Sequence, residues 1–288
     1  MIWVGTNFAR TVGARQPFPR ARLYDMPAKI EIDRDHTLAQ AWRQRGYLFL
    51  EKAVPADLFA VLRDDIMSSF ERIHSQDELL AMGGALSGHL NCFPGARVKA
   101  LVDYLDETGV NFLVDKIGGE THMLVSAGCN INIPGSHDQN FHIDGDWERP
   151  FIVVNLSLVD TDNINGATEI VAGTHKSRMS YSEFFVSGLY AKRCSLPSRA
   201  GDIIIRTSRL WHRGTRNTSK AMRPMIGLVY APTSHGMAPV DFSQFDGQVA
   251  LLPNRFGSGF RGRAAEWIAV NAVPVAFAAR FLQSLLKD

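Results

Sequence analysis

Residues 139–147 read Gln139-Asn140-Phe141-His142-Ile143-Asp144-Gly145-Asp146-Trp147. On an extended backbone successive side chains alternate between faces, so His142 and Asp144, two positions apart, leave the same side and can grip one metal ion. One imidazole nitrogen and one carboxylate oxygen are only part of a coordination shell. A further ligand has to come from a distant stretch, which obliges the chain to fold back on this segment. Taken alone, His-x-Asp also fits an ordinary surface turn, so its neighbours in the sequence decide the reading.

The third ligand is best supplied by His212, 70 residues further on, in Leu210-Trp211-His212-Arg213-Gly214-Thr215. Two histidines and one carboxylate form the facial triad of non-haem Fe(II) oxygenases, which covers one face of an octahedron and leaves three positions open. A structural zinc site would instead be closed by four ligands, commonly cysteines. Eleven residues after His212 comes Arg223, followed by Met225-Ile226-Gly227-Leu228-Val229-Tyr230, an apolar run that reads as a buried strand. A guanidinium there can clamp a carboxylate through two parallel hydrogen bonds.

This ordered set resembles the phytanoyl-CoA dioxygenase family of Fe(II)/2-oxoglutarate oxygenases. The resemblance is carried by His142-x-Asp144, by Asn165-Gly166-Ala167-Thr168-Glu169-Ile170-Val171-Ala172-Gly173-Thr174-His175-Lys176, and by Gly201-Asp202-Ile203-Ile204-Ile205 leading to His212 and Arg223. It spans about residues 40–231. It implies a mainly β fold with flanking helices, a double-stranded β-helix: a jelly-roll, cupin-like barrel with iron at one mouth. It also implies Fe(II) held by His142, Asp144 and His212, with 2-oxoglutarate as cosubstrate and O₂ as oxidant. By the same resemblance Arg223 anchors the far carboxylate of 2-oxoglutarate, while Asn132 and Asn155 face the cosubstrate. The implied reaction releases succinate and CO₂ and oxidises, by default hydroxylates, a small organic molecule such as a secondary metabolite or a lipid-like acid. Related halogenases replace the carboxylate ligand with a small residue, so Asp144 points to an oxygenase. One position departs from the family: a serine is common two residues after the last histidine, where this chain has Gly214, and Thr215 and Thr218 are the candidates to replace its hydroxyl.

Two rivals remain open at this stage. One is a barrel of the same shape that binds a metal without oxidative chemistry, as an isomerase or a binding protein; such a protein has no need of Arg223. The other is a nucleic-acid demethylase, which would need a basic, base-stacking surface.

Composition narrows the field. The 288 residues are 45% hydrophobic and 21% charged with a formal net charge of +2, too small a surplus for a nucleic-acid footprint. Cys92, Cys129 and Cys194 are odd in number and far apart, which disfavours a disulfide framework and suits a reducing, cytoplasmic setting. No apolar run approaches the roughly 18 residues of a membrane span. No linker, repeat or low-complexity run divides the chain, so residues 1–288 read as a single domain. Within it, 1–24 carries Arg10, Arg15, Arg20 and Arg22 without an acid and reads as an extended arm or as an organellar targeting segment.

Along the chain the periodicity predicts a short helix over 37–45, a strand over 46–50 and an amphipathic helix over 56–73. Residues 75–98 read as an ordered loop, with His89 a packing residue and not a ligand, and the resemblance implies that this stretch approaches the mouth of the site as a candidate substrate wall. Two helices broken near Gly109 cover 99–117, and a long strand covers 121–133 with Asn130 and Asn132 on one face, turned either to solvent or to the barrel. A second strand, 151–159, places Ile152, Val154, Leu156 and Leu158 on one face and Val153, Asn155 and Ser157 on the other. Gly166 and Gly173 serve turns and His175 locks a loop. Residues 178–196 are either a lid or a surface excursion, and 203–205 form a strand. The segment 264–287 reads as helix interrupted near Pro274, packing on the barrel of a monomer or between the subunits of a homodimer.

Overall fold

The computed structural model describes residues 21–22, 32–73, 75–253, 259–271, 277–278 and 281–284. In chain order the elements are β1 (Ala21–Arg22), α1 (Ile32–Arg45), β2 (Tyr47–Glu51), α2 (Ala56–Glu71), α3 (Gln76–Ala81), β3 (His89–Pro94), α4 (Val98–Glu107), α5 (Val110–Gly118), β4 (His122–Asn132), β5 (Ile152–Ser157), β6 (Thr168–Ile170), α6 (Tyr181–Val186), β7 (Cys194–Leu196), β8 (Ile203–Thr207), β9 (His212–Gly214), β10 (Arg223–Pro232), β11 (Val249–Leu251) and α7 (Phe260–Asn271). An eight-stranded sheet in the order β1-β2-β8-β5-β10-β4-β3-β11 faces a three-stranded sheet, β7-β6-β9. All pairings are antiparallel except β1 with β2. This is the jelly-roll that the sequence motifs imply.

Period-two alternation sorts the long strands. Ile152, Val154 and Leu156 of β5, Ile203 and Ile205 of β8, and Ile226, Leu228 and Tyr230 of β10 join one buried core on the outer face of the large sheet. The helices cover that face with apolar stripes: Leu62 and Ile66 from α2, Val98, Leu101 and Leu105 from α4, Val110, Leu113 and Val114 from α5. Gly109, at φ +80°, supplies the left-handed corner that separates α4 from α5. The residues in between therefore point inward, toward the small sheet. They are Asn130 and Asn132, Val153 and Asn155, Ile204 and Arg206, and Arg223, Met225 and Gly227. The face carrying Asn132 thus looks into the barrel.

The loop expected over 75–98 is instead helix and strand. Ser75 and Glu78 form a reciprocal capping box that starts α3, with Ser75 N–H donating to Glu78 Oε2 at 2.8 Å. β3 pairs with β4 in a register that sets His89 against Asn132 and Cys92 against Cys129. Every β3 residue but Asn91 is buried, so the segment lacks the polar-apolar alternation that marks a half-exposed strand. α1 starts five residues before the predicted 37, and α7 four before the predicted 264. Of the arm 1–24 only 21–22 are described, paired with Leu50 and Glu51, and Pro274 lies outside the described residues.

Candidate metal centre

Backbone pairing brings the two halves of the triad together. His142 N–H donates to the His212 carbonyl and His212 N–H to the His142 carbonyl, both at 3.0 Å. Two residues on, Asp144 N–H donates to the Ser208 carbonyl at 2.9 Å. Ser208 is itself fixed, since its N–H donates to the Phe151 carbonyl and its hydroxyl accepts from Phe151 N–H. Gly145, at φ +64°, has to be a glycine: a Cβ there would come within 2.7 Å of the Phe151 ring. The segment 142–145 is thus sewn to the β8–β9 connection by main-chain bonds.

The ligand atoms converge. His142 Nε2 lies 3.6 Å from Asp144 Oδ1 and His212 Nε2 3.6 Å from Asp144 Oδ2, and the three ligand atoms all lie within 4.8 Å of one another. Two atoms about 2.1 Å from a metal and at right angles are about 3 Å apart, so small side-chain adjustments close this set on an ion. Each imidazole donates from Nδ1 to a carbonyl, His142 to Asn140 at 2.8 Å and His212 to Leu210 at 2.9 Å. That fixes the tautomer and leaves Nε2 with its lone pair toward the centre. Burial, and after it the nearby Arg206, pushes the His212 imidazole well below its ordinary range, so it is neutral and ready to ligate. Burial alone would raise the Asp144 carboxyl, but Arg206 and the two histidines outweigh it and hold the group well below the usual carboxylate range.

Arg223 opens β10, directly across from Asn132 on β4, and is 2% exposed. Burial lowers its guanidinium from the ordinary arginine value to about 10. Among the described residues no carboxylate pairs with it, and its Nε has no hydrogen-bond partner. Asn132 spends its Nδ2 on the Thr215 carbonyl at 2.9 Å, while its Oδ1 has no partner among the described residues. Gly166, at φ +97°, makes room for that bond, because a Cβ there would collide with the Asn132 amide. Asn155 accepts from Arg206 Nε at 3.3 Å, and its Nδ2 lies against Gly227. The six site residues read from the sequence therefore divide into a ligand cluster, His142, Asp144 and His212, and three inner-face residues, Arg223, Asn132 and Asn155.

The departure at Gly214 has a structural counterpart. A Cβ there would sit 3.0 Å from His89 Cε1 and 3.1 Å from Gln139 Oε1, so those two side chains fill the place of the missing one. Thr215 and Thr218 donate their hydroxyls to the Ala167 and Ile164 carbonyls, which ties down the Asn165-Gly166 turn. His89 lies outside the ligand cluster; its Nε2 donates to the His137 carbonyl at 2.8 Å, and burial pushes it down to about 4. His175 packs over Gly46. Arg206 went unread in the sequence, although a charged residue inside Ile203-Ile204-Ile205-Arg206-Thr207, a strand buried throughout, was the available signal.

At the mouth a cavity of about 950 Å³ includes His142 and Asp144 in its lining and runs between aromatic rings and arginines, among them Phe141, Tyr181, Phe185, Phe277 and Arg213. Residues 181–186 are an anchored wall: Phe184 is fully buried and stacks on Trp211, the neighbour of His212, with centroids 4.0 Å apart and planes 2° from parallel. Phe277 and Ser284 lie on this wall. Phe277 meets Phe185 at 4.9 Å, and Ser182 N–H donates to Ser284 Oγ at 3.1 Å.

A two-sheet barrel that gathers His142, Asp144 and His212 at one mouth, with Arg223 buried on its inner face, defines the class of fold: a double-stranded β-helix. Residues 137–225 match the family model described as phytanoyl-CoA dioxygenase (PhyH). Among solved structures, the fold is similar to the non-haem α-ketoglutarate-dependent carbocyclase SnoK from nogalamycin biosynthesis (TM-score 0.58, 14% identity, 81% of this chain and 99% of that one). It is similar also to the epimerase SnoN, solved with Fe³⁺, α-ketoglutarate and nogalamycin RO (TM-score 0.57, 17% identity, 80% of this chain and 98% of that one). EctD from S. alaskensis, solved with bound Fe, gives a TM-score of 0.55 at 14% identity over 70% of this chain and 78% of that one. Among the described residues no helix is long and apolar enough to cross a membrane.

Proposed function

We propose that this protein is an Fe(II)- and 2-oxoglutarate-dependent dioxygenase of the cytoplasm that hydroxylates a small organic molecule, a secondary metabolite or a lipid-like acid, acting as a monomer or homodimer. One observation carries the reading: the barrel that gathers His142, Asp144 and His212 also seals in Arg223, for which the described residues offer no carboxylate. A buried charge without a partner costs several kcal/mol, and a dianionic cosubstrate with one carboxylate at the guanidinium offsets that cost. A metal barrel without oxidative chemistry has no use for such a cation, and that rival loses ground.

Bound Fe(II) would supply activation of O₂ coupled to decarboxylation of 2-oxoglutarate to succinate. The chain's own residues do the rest. His142 and His212 present neutral Nε2 atoms because their Nδ1 hydrogens are spent on carbonyls, and Asp144 is ionised throughout the neutral range. Arg223 anchors the far carboxylate, and Asn132 and Asn155 wall the same slot. The aromatic wall of Tyr181, Phe185 and Phe277 excludes water and gives the substrate an apolar seat.

The test is succinate release from 2-oxoglutarate by anaerobically Fe(II)-loaded protein exposed to O₂, beside Asp144→Ala. Iron-dependent succinate in the native protein and none in the variant is the expected result. No succinate together with no 2-oxoglutarate binding would return the assignment to the non-oxidative metal barrel.

A further inference from the structure

Arg206 stands at the centre of an unassigned contact. Its Nη1 lies 2.7 Å from Asp144 Oδ2, with its side chain 9% exposed, and its Nε donates to Asn155 Oδ1 at 3.3 Å. Register explains the placement: Arg206 pairs with Tyr47 on β2 and Val153 on β5, so it projects from the middle of the large sheet's inner face, on the strand next to Asn155. Asp144 offers Oδ1 to His142 and Oδ2 to His212 at equal 3.6 Å distances, so the histidines alone do not distinguish its two oxygens. The guanidinium does. An oxygen already in contact with one cation is a poorer partner for a second.

We propose that Arg206 is a positioning residue, which occupies one oxygen of Asp144 so that the carboxylate serves the metal through the other alone, and that Asn155 orients Arg206 for this task. A carboxylate gripping the ion with both oxygens would consume one of the positions that the facial triad leaves open. Arg206 prevents that and holds the carboxylate plane in place, as the outer partners of metal ligands do. The inference rests on the metal centre proposed above and adds a role for two inner-face residues.

The experiment titrates Co(II) alone into metal-free full-length protein and reads the binding constant and the visible absorption band, for the native chain, Arg206→Met, Arg206→Lys and Asn155→Ala. Arg206→Met is expected to weaken Co(II) binding by about 10–100-fold and to shift the band, because outer partners are worth that much to a ligand set. Arg206→Lys should recover part of the affinity, since an ammonium can still bind Oδ2, and Asn155→Ala should weaken binding severalfold. If Arg206→Met binds Co(II) as the native chain does with an unshifted band, or binds it more tightly as simple relief of charge repulsion would require, the positioning role is overturned. Should Arg206→Met fail to fold, Asn155→Ala decides, and native affinity with a native band in that variant overturns the proposal. A native chain that takes up no Co(II) at all overturns the metal centre itself, an outcome distinct from the others.

Discussion

A guanidinium buried to 2% exposure across from Asn132, with no carboxylate partner among the described residues, is costly unless an anion joins it. Charge-assisted hydrogen bonds to a carboxylate contribute about 1.5–3 kcal/mol. Arg223→Ala is therefore expected to raise the dissociation constant for 2-oxoglutarate by about 10–150-fold while changing Co(II) affinity less than about threefold. Calorimetric titration of each ligand separates the two, and an unaltered cosubstrate constant would remove Arg223 from the binding site. Because the variant also relieves an uncompensated charge, its unfolding midpoint without ligand should equal or exceed that of the native chain. At this scale the sequence was most legible where chemistry restricts residue type: spacing singled out His142, Asp144, His212 and Arg223 as candidates, and the fold brings the first three together. Arg206 was not, because its meaning comes from Asp144, a partner set by the folded chain, whereas His89 was legible as a packing residue and only its carbonyl partner, His137, waited on the fold.

Elements are placed here as much by turns as by strands. Asn217 is fully buried in the turn before β10; its Nδ2 donates to the Asn132 carbonyl at 3.0 Å and the Ala221 carbonyl at 2.8 Å, its Oδ1 accepts from Ser219, and its N–H donates to Ser136 Oγ. It thereby joins the end of β4 to the start of β10, the pair that carries Asn132 and Arg223. Asn217→Ala leaves two carbonyls without that donor, and an unsatisfied buried group costs about 1–3 kcal/mol, so a loss of about 2–4 kcal/mol in urea unfolding is expected. A loss below about 0.5 kcal/mol would mean that the turn holds without its amide. The long strands β4, β5 and β10 were legible, the first two because eleven and six residues give period two time to show and the third as a continuous apolar run within ten residues. The three-residue strands β6, β7, β9 and β11 do not alternate long enough to be told from loop, and only pairing defines them. Residues 178–196 stayed open between lid and excursion because the choice depends on Phe184 finding Trp211, a contact between segments 27 positions apart.

For the whole molecule, burial of neutral imidazole ties stability to pH. His89 is pushed down to about 4, chiefly by burial and also by the charge of Arg223, against an ordinary value of 6.5. The unfolded chain then binds a proton that the folded chain refuses across that window, so unfolding becomes easier as pH falls from about 6.5 toward about 4, and the contribution is fully present above 6.5. The span of the shift corresponds to roughly 3 kcal/mol for this one residue. Asp144 acts in a lower window: its depressed carboxyl adds stability above the ordinary carboxylate range, which is lost only under stronger acid. Denaturant unfolding of the metal-free protein between pH 7.5 and 4.5 should therefore show a falling stability whose slope is reduced in His89→Gln, where the amide can still donate to the His137 carbonyl but binds no proton. The variant's offset at pH 7.5 reports lost packing around Gly214, and the slope reports the proton. Equal slopes in the two proteins would show that the folded chain admits a charged His89 near Arg223, and would make the burial of this imidazole in its neutral form wrong.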